Sequence, residues 1–94
     1  MDEDMDRVAA RQAGQVRQLA PRIESDAEIL HGKPVIAGTR ISVEVLLEHL
    51  AAGDSFAEVL EDYPFLTQAD LVAALEYAAF LAGGSPPERE RTAS

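Results

Sequence analysis

Cysteine and tryptophan are both absent from this chain of 94 residues. Without cysteine there are no disulfides and no thiolate metal ligands, so packing of the hydrophobic residues, 47% of the total, must hold the fold together. The two histidines, His31 and His49, stand far apart and form no cluster with metal-ligand spacing. We therefore expect one small domain that binds neither a metal ion nor an organic cofactor.

Long apolar segments are missing as well. No basic segment followed by an apolar one opens the sequence, and no apolar run approaches the ~20 residues that span a bilayer. We therefore expect a cytoplasmic protein without membrane contact. No histidine or carboxylate stands beside a candidate nucleophile in an active-site pattern, so we expect neither an enzyme nor a small-molecule substrate.

Positive charge is missing between Arg40 and Arg89, a stretch without lysine or arginine. Within it, residues 41–80 carry most of the net charge of −9. The carboxylates of this segment are Glu44, Glu48, Asp54, Glu58, Glu61, Asp62, Asp70 and Glu76. Since lysine and arginine are the side chains that bind nucleic-acid phosphates, such an anionic segment favours a protein partner.

Three helices are predicted in this acidic stretch because each has its own start signal. The start signals are the cap Ser42 and the capping boxes Ser55/Glu58 and Thr67/Asp70. The stop signals are Gly53, Pro64 and Gly83. The predicted core-facing residues are Val43, Leu46, Leu47, Leu50, Phe56, Val59, Leu60, Tyr63, Leu71, Ala74, Leu75, Ala78 and Ala82.

A different pattern precedes these helices. Apolar spacing of three and four predicts an N-terminal helix ending before Pro21, on Met5, Val8, Ala9, Gln12, Val16 and Leu19. Residues 22–41 contain short apolar runs broken by turn formers, which predicts two or three very short strands. Because Pro34 cannot donate a ladder hydrogen bond, Val35 and Ile36 should begin a strand or lie at a sheet edge, open to pairing across a dimer.

These patterns together predict a mainly α fold with a small β element. The three helices would form a compact core of the helix-turn-helix type, preceded by a small β arm made of these short strands and by an N-terminal helix. The predicted boundaries are 1–21 for the helical extension, 22–82 for the arm and three-helix domain, and 83–94 for a disordered C-terminal tail. A core of roughly 60 residues is marginal alone, so we expect a homodimer.

The third helix has a second apolar face, formed by Ala73, Tyr77 and Phe80. Either the rest of the same chain covers this face, or it forms a dimer or partner interface. The residues that we assign to partner binding are Ala73, Tyr77, Phe80, Arg89 and Arg91.

DNA binding is the alternative that a helix-turn-helix core suggests, with the third helix as the reader. Gln68, at its start, suits an adenine, but no cation accompanies it, so the remaining contacts would come from the basic flanks of a dimer. The candidate DNA-binding residues are Arg7, Arg11, Arg17, Arg22, Lys33, Arg40 and Gln68. A phosphate loop over residues 32–40 is excluded by its order, because the lysine follows the first glycine; two tight turns are predicted instead.

The longest specific pattern lies within residues 23–79. It consists of Gly-Lys-Pro-Val-Ile-Ala-Gly-Thr-Arg-Ile-Ser-Val at 32–43, Ala-Gly-Asp-Ser at 52–55 and Glu-Asp-Tyr-Pro-Phe-Leu-Thr at 61–67. In these residues the chain resembles the domain-of-unknown-function family 433. The resemblance implies a β-hairpin arm on a homeodomain-like three-helix core, often dimeric. It also implies an antitoxin role, since similar proteins are regarded as antitoxins of VapBC-like pairs whose partner is a PIN-like nuclease.

By that likeness the chain would bind and silence a metal-dependent ribonuclease and regulate its own operon. The signature residues expected to shape the arm are Gly32, Lys33, Pro34, Gly38, Thr39 and Arg40. An arginine inserted among the metal-binding carboxylates of the nuclease would displace metal or substrate. Arg89 and Arg91, or Arg7 and Arg11, are candidates, and solvated surface charges are the alternative. A DNA-binding repressor without a toxin and a structural adaptor remain as competing functions.

Overall fold

The structure, a computed structural model, describes residues 16–86. Three β-strands come first, β1 (Val16–Ala20), β2 (Ile23–Asp26) and β3 (Val35–Ile36). Three helices follow, α1 (Val43–Ala51), α2 (Phe56–Asp62) and α3 (Gln68–Leu81). The strands form one antiparallel sheet in the order β1-β2-β3, and the helices pack against one another and against β2.

The predicted fold class is wrong in its N-terminal part. Val16–Ala20 is a strand and not the end of a helix, and the β element is a three-stranded sheet rather than a hairpin arm. The pairing of β1 with β2 is irregular between Gln18 and Ala20, which breaks the alternation that would have revealed a strand in the sequence. The rest of the predicted helix, residues 1–15, lies outside the described residues.

A two-residue turn joins β1 to β2. Pro21 fixes its own φ, and Arg22 follows with a φ of +68°, the combination found in a type II turn. The carbonyl of Arg22 accepts a hydrogen bond from the backbone N–H of Ala37 at 2.8 Å. This bond fixes the first turn of the sheet to the loop that follows β3.

The loop after β3 is closed by its own backbone. The N–H of Ile36 donates to the carbonyl of Ile41 at 2.9 Å, and Val35 pairs with Ser42 in an isolated bridge. Gly38 turns the chain with a φ of +80°. The Thr39 hydroxyl donates to the Ile36 carbonyl and accepts from the N–H of Ile41. The tight turn expected here from the glycine pattern is therefore present.

A left-handed turn lies between β2 and β3. Leu30, His31 and Gly32 have φ angles of +51°, +57° and +84°, a region that costs a residue with a side chain roughly 1–2 kcal/mol. The Ser25 hydroxyl donates to the Gly32 carbonyl at 2.9 Å and holds this turn against β2. This hydrogen bond to β2 therefore helps to offset the backbone strain at Leu30 and His31.

All three predicted helix starts are confirmed. Ser42 accepts a hydrogen bond from the N–H of Val45, and both predicted capping boxes are present with reciprocal bonds. The helices close a single core with the sheet, and its fully buried side chains are Ile23, Val35, Ile36, Leu46, Val59 and Leu71. The core therefore draws on the sheet and on all three helices.

Candidate functional site

The cations of the described chain all precede α1, and half of them are already paired. Of Arg17, Arg22, Lys33 and Arg40, the guanidinium of Arg22 contacts Asp70 at 3.0 Å and the ammonium of Lys33 contacts Glu44 at 2.8 Å. Within residues 16–86, the side chains of Arg17 and Arg40 make no such pair and are exposed. Two of the four predicted cationic DNA contacts in residues 16–86 are thus already engaged by carboxylates.

The pairing of Lys33 also stabilises its charged form. The hydrogen bond that Lys33 donates to Glu44 and the charge of Glu44 raise the pKa of Lys33; desolvation opposes this rise, and the charge of Glu48 adds to it. The signature lysine is therefore a counter-ion to the first turn of α1 and connects it to the segment before β3.

The start of α3 shows an exposed amide and a buried carboxylate. Gln68 is exposed, whereas Asp70 is 8% exposed. One oxygen of Asp70 accepts the N–H of Thr67 at 2.9 Å and the other accepts the Arg22 guanidinium. Both carboxylate oxygens of Asp70 are therefore engaged within the protein. The first turn of α3 exposes Gln68 and has no neighbouring free cation in the described chain.

The predicted partner-binding face of α3 lies largely inside the protein. Ala73 and Tyr77 are buried in the core, and Phe80 is partly buried, with its ring centroid 6.4 Å from that of Tyr77. Leu75, expected in the core, is 39% exposed instead. Of the two alternatives drawn from the sequence, the first therefore holds for Ala73 and Tyr77, because the same chain covers them. A role for Phe80 in partner binding stays a prediction.

An apolar groove runs between α1 and the C-terminal half of α3. Its volume is about 620 Å³, and we call it the α1/α3 groove. Its apolar lining is Pro34, Val43, Leu47, Ala51, Tyr77, Ala78, Leu81 and Ala82, and Glu44 and Glu48 border it. The sequence analysis did not predict this groove because it assigned Leu47, Ala78 and Ala82 to the core. In the structure these residues line the groove, and Leu81 at the end of α3 is 64% exposed.

A second concavity of about 880 Å³ lies beside the sheet and contains Arg40. It is wide, its lining is partly polar and partly apolar, and the carboxylates of Glu24 and Asp26 share its wall. The N–H of Gly38, which a phosphate loop would offer to an anion, already donates to Glu24 at 3.1 Å. The geometry agrees with the sequence argument against a phosphate loop.

His49 makes contacts that its sequence position did not reveal. Its Nδ1 lies 2.8 Å from an oxygen of Asp54, and its Nε2 lies 3.4 Å from the hydroxyl of Tyr63, with the two rings edge to face. A carboxylate that orients a histidine is an element of acid–base sites, but here the second nitrogen faces an internal tyrosine. The group joins the ends of α1 and α2. No cluster of three metal-ligating side chains occurs in residues 16–86.

The remaining predicted site residues, Arg7, Arg11, Arg89 and Arg91, lie outside the described residues. Within the part of the chain that the structure describes, no helix has the length and apolar character needed to cross a bilayer.

The comparison with protein families fits this fold. The family described as "Protein of unknown function (DUF433)" matches residues 23–78, more than half of the chain. The chain belongs to the DUF433 family. The match begins at the first residue of β2 and ends within α3, so it includes the left-handed turn, the loop after β3 and all of α1 and α2. The resemblance seen in the sequence is therefore confirmed.

A solved structure of the same family is similar to this DUF433 protein. The crystal structure of a DUF433 member protein from Anabaena variabilis ATCC 29413 shares 26% sequence identity and a TM-score of 0.61. The match covers 84% of this chain and 72% of that one. No curated protein matches the chain. The comparisons thus establish the family and the fold of the chain but not its function.

Proposed function

We propose that this DUF433 protein is an antitoxin-like binding protein that neutralises a PIN-like ribonuclease through direct protein contact. The observation that carries the proposal is the charge of the helical surface. Residues 41–86 contain carboxylates and no lysine or arginine, and two of the four cations in the described chain are held in ion pairs with Asp70 and Glu44. Such a surface repels nucleic acid and attracts a cationic protein.

A ribonuclease is a suitable partner on electrostatic grounds. To hold RNA, its binding surface must present cations to the phosphates. The exposed carboxylates of α1 and α2, Glu44, Glu48, Glu58, Glu61 and Asp62, can occupy the same cations and so compete with RNA. Because an antitoxin must meet its toxin where that toxin would cleave RNA, the proposal places this protein in the cytoplasm. It requires binding and no catalysis by the DUF433 chain itself.

The test first asks whether a neighbouring gene encodes a PIN-like nuclease, and then measures inhibition of that nuclease. Purified nuclease is titrated with the full-length DUF433 protein, and cleavage of a labelled RNA is followed at increasing salt. We expect inhibition at a stoichiometric ratio, weakening as salt screens the charges. Unchanged cleavage at a large excess of the DUF433 protein would refute the proposal.

The arginines outside the described residues provide a second arm of the same test. If Arg89 and Arg91 insert among the metal-binding carboxylates of the nuclease, the double variant Arg89→Ala/Arg91→Ala loses inhibition while still binding the enzyme. Arg7→Ala/Arg11→Ala tests the other candidate pair in the same assay. Full inhibition by both variants leaves the acidic helical surface as the inhibitory element.

A dimeric helix-turn-helix repressor is the second candidate function. Exposed Gln68 at the start of α3 favours it, together with Arg17 and Arg40, which form no ion pair within residues 16–86. Two copies would double the number of free cations. A gel-shift titration with the DNA upstream of the gene separates the two functions. Tight binding by the isolated protein, falling steeply with salt, would favour the repressor. Binding only in the presence of the nuclease would favour an antitoxin that regulates its own operon.

A further inference from the structure

We propose that the α1/α3 groove is the docking site for an amphipathic helix of a partner protein, and that this helix carries lysine or arginine along one flank. The proposal rests on the proposed function only in taking the partner to be a protein. It adds where that partner binds and which secondary structure and charge pattern it must present.

The groove has the composition of a helix-binding surface. Leu47 and Ala51 of α1 and Ala78 and Leu81 of α3 form its apolar surface, and Leu81 leaves 64% of its area in water. An α1 of nine residues is about 13 Å long, which matches two to three turns of a bound helix. Amphipathic helices dock in such grooves through apolar residues spaced three and four apart.

The border of the groove determines the charge of its occupant. Glu44 and Glu48 lie one turn apart on α1, at the same edge of the groove. Lys33 pairs with Glu44 at 2.8 Å, whereas the carboxylate of Glu48 accepts no hydrogen bond within residues 16–86. Lys33 acts on Glu48 only through its charge because its ammonium is engaged by Glu44, and residues 41–86 contain no lysine or arginine. A lysine or arginine of the bound helix would pair with the Glu48 carboxylate at this edge of the groove.

The same charges argue against other occupants. In a symmetric dimer through this groove, the carboxylates of Glu44 and Glu48 would approach those of the second copy, and like charges oppose that pairing. An RNA or DNA strand would bring phosphates to an apolar surface with an acidic border and no free cation among its lining residues. A helix with an apolar face and a basic flank would pack against the apolar surface and pair with the acidic border.

The test uses a defined probe and the full-length protein. The probe is a fluorescein-labelled helical peptide of about 18 residues, with leucines spaced three and four apart and lysines along one flank. A second peptide replaces those lysines by glutamates. Fluorescence anisotropy measures binding of both peptides at low and high salt. We expect binding of the lysine peptide, weaker at high salt, and binding of the glutamate peptide that is at least about tenfold weaker.

Two pairs of variants locate the site. Glu48→Lys reverses the unpaired charge at the groove, and Glu61→Lys makes the same change on exposed α2. Leu81→Glu places a carboxylate in the groove, and Phe65→Glu does so at a side chain of similar exposure, 61% against 64%, outside it. We expect Glu48→Lys and Leu81→Glu each to weaken binding about tenfold and the two controls to change it less than about twofold. Circular dichroism checks that all four variants are folded.

Three outcomes would overturn the proposal. These are equal binding of the two peptides, equal effects of a variant and its control, and a dimer that Leu81→Glu but not Phe65→Glu dissociates in sedimentation, which would assign the groove to a second copy. Because the peptide assay contains no nuclease, its failure counts against the groove alone. Failure of the unaltered protein to inhibit the nuclease counts against the proposed function alone.

Discussion

Removing the Asp70 carboxylate should destabilise this protein more than removing a capping residue normally does. One oxygen of Asp70 closes the capping box of α3 by accepting the N–H of Thr67, and the other holds the Arg22 guanidinium at the turn between β1 and β2. Asp70 therefore joins the first turn of the sheet to the last helix. Asp70→Ala removes both interactions and the favourable charge at the helix N-terminus.

The size of the effect follows from the exposure of each group. The capping interaction contributes about 1 kcal/mol to the free energy of unfolding, and the charge near the helix N-terminus adds about 0.5 kcal/mol. The arginine side chain is 53% exposed, so we discount the ion pair to about 0.5–1 kcal/mol. Asp70→Ala should therefore lower the free energy of unfolding by about 2–2.5 kcal/mol, or roughly 8–20 °C in Tm for a domain of this size.

Glu58→Ala is the matched control, because Glu58 closes the capping box of α2 in the same way but is exposed and has no arginine partner in the structure. It should cost about 1 kcal/mol. Both variants are measured by urea unfolding followed by circular dichroism. The double-mutant cycle of Asp70→Asn with Arg22→Gln should give a coupling of about 0.5–1 kcal/mol. Equal losses for the two alanine variants, or zero coupling, would show that the sheet is not held to α3 in this way.

Three further predictions concern the core, the loop after β3 and an ion pair. Leu46 is completely buried, so Leu46→Ala should lower the free energy of unfolding in urea by about 2–5 kcal/mol; a loss below about 1 kcal/mol contradicts its place in the core. A Cβ at Gly38 meets no atom, so Gly38→Ala should cost about 1 kcal/mol through its φ of +80° alone, and Gly38→Asn should cost less in the same assay; equal costs contradict backbone strain. Glu44 raises the pKa of Lys33 above its ordinary value of 10.5, so this ion pair stabilises the fold below that pH and the stabilisation is lost as pH rises through the raised pKa. An NMR titration of the Lys33 ammonium should show that pKa falling towards its ordinary value in Glu44→Gln, and an unchanged pKa contradicts the pairing.

The helix starts could be read from the sequence because their signals are local. Ser42, Ser55 and Thr67 each act on the N–H three residues later, and that distance is fixed by the helix itself. The turn at Gly38 was predictable for the same reason, since glycine is the residue that adopts a positive φ without strain.

What failed depended on contacts between distant residues. Val16 and Leu19 have a spacing that suits a helix, and only their pairing with β2 makes them part of a strand. The ion pair of Arg22 joins residues 48 positions apart, so no local pattern could show that this candidate DNA contact is already engaged. The outward orientation of Leu75 and Leu81 likewise follows from how α3 docks, which the sequence does not specify because apolar residues lie on all sides of this helix.

The left-handed turn at Leu30 and His31 has a consequence for chemical synthesis of the protein. A D-amino acid has the mirror image of the usual Ramachandran preferences, so the conformation that strains an L-residue is the relaxed one for its enantiomer. D-leucine and D-histidine at these two positions would keep the backbone path between β2 and β3, and their side chains would leave the Cα in a different direction. Changing the chirality at these two Cα atoms would therefore keep the backbone shape of the turn while changing the surface that its side chains present.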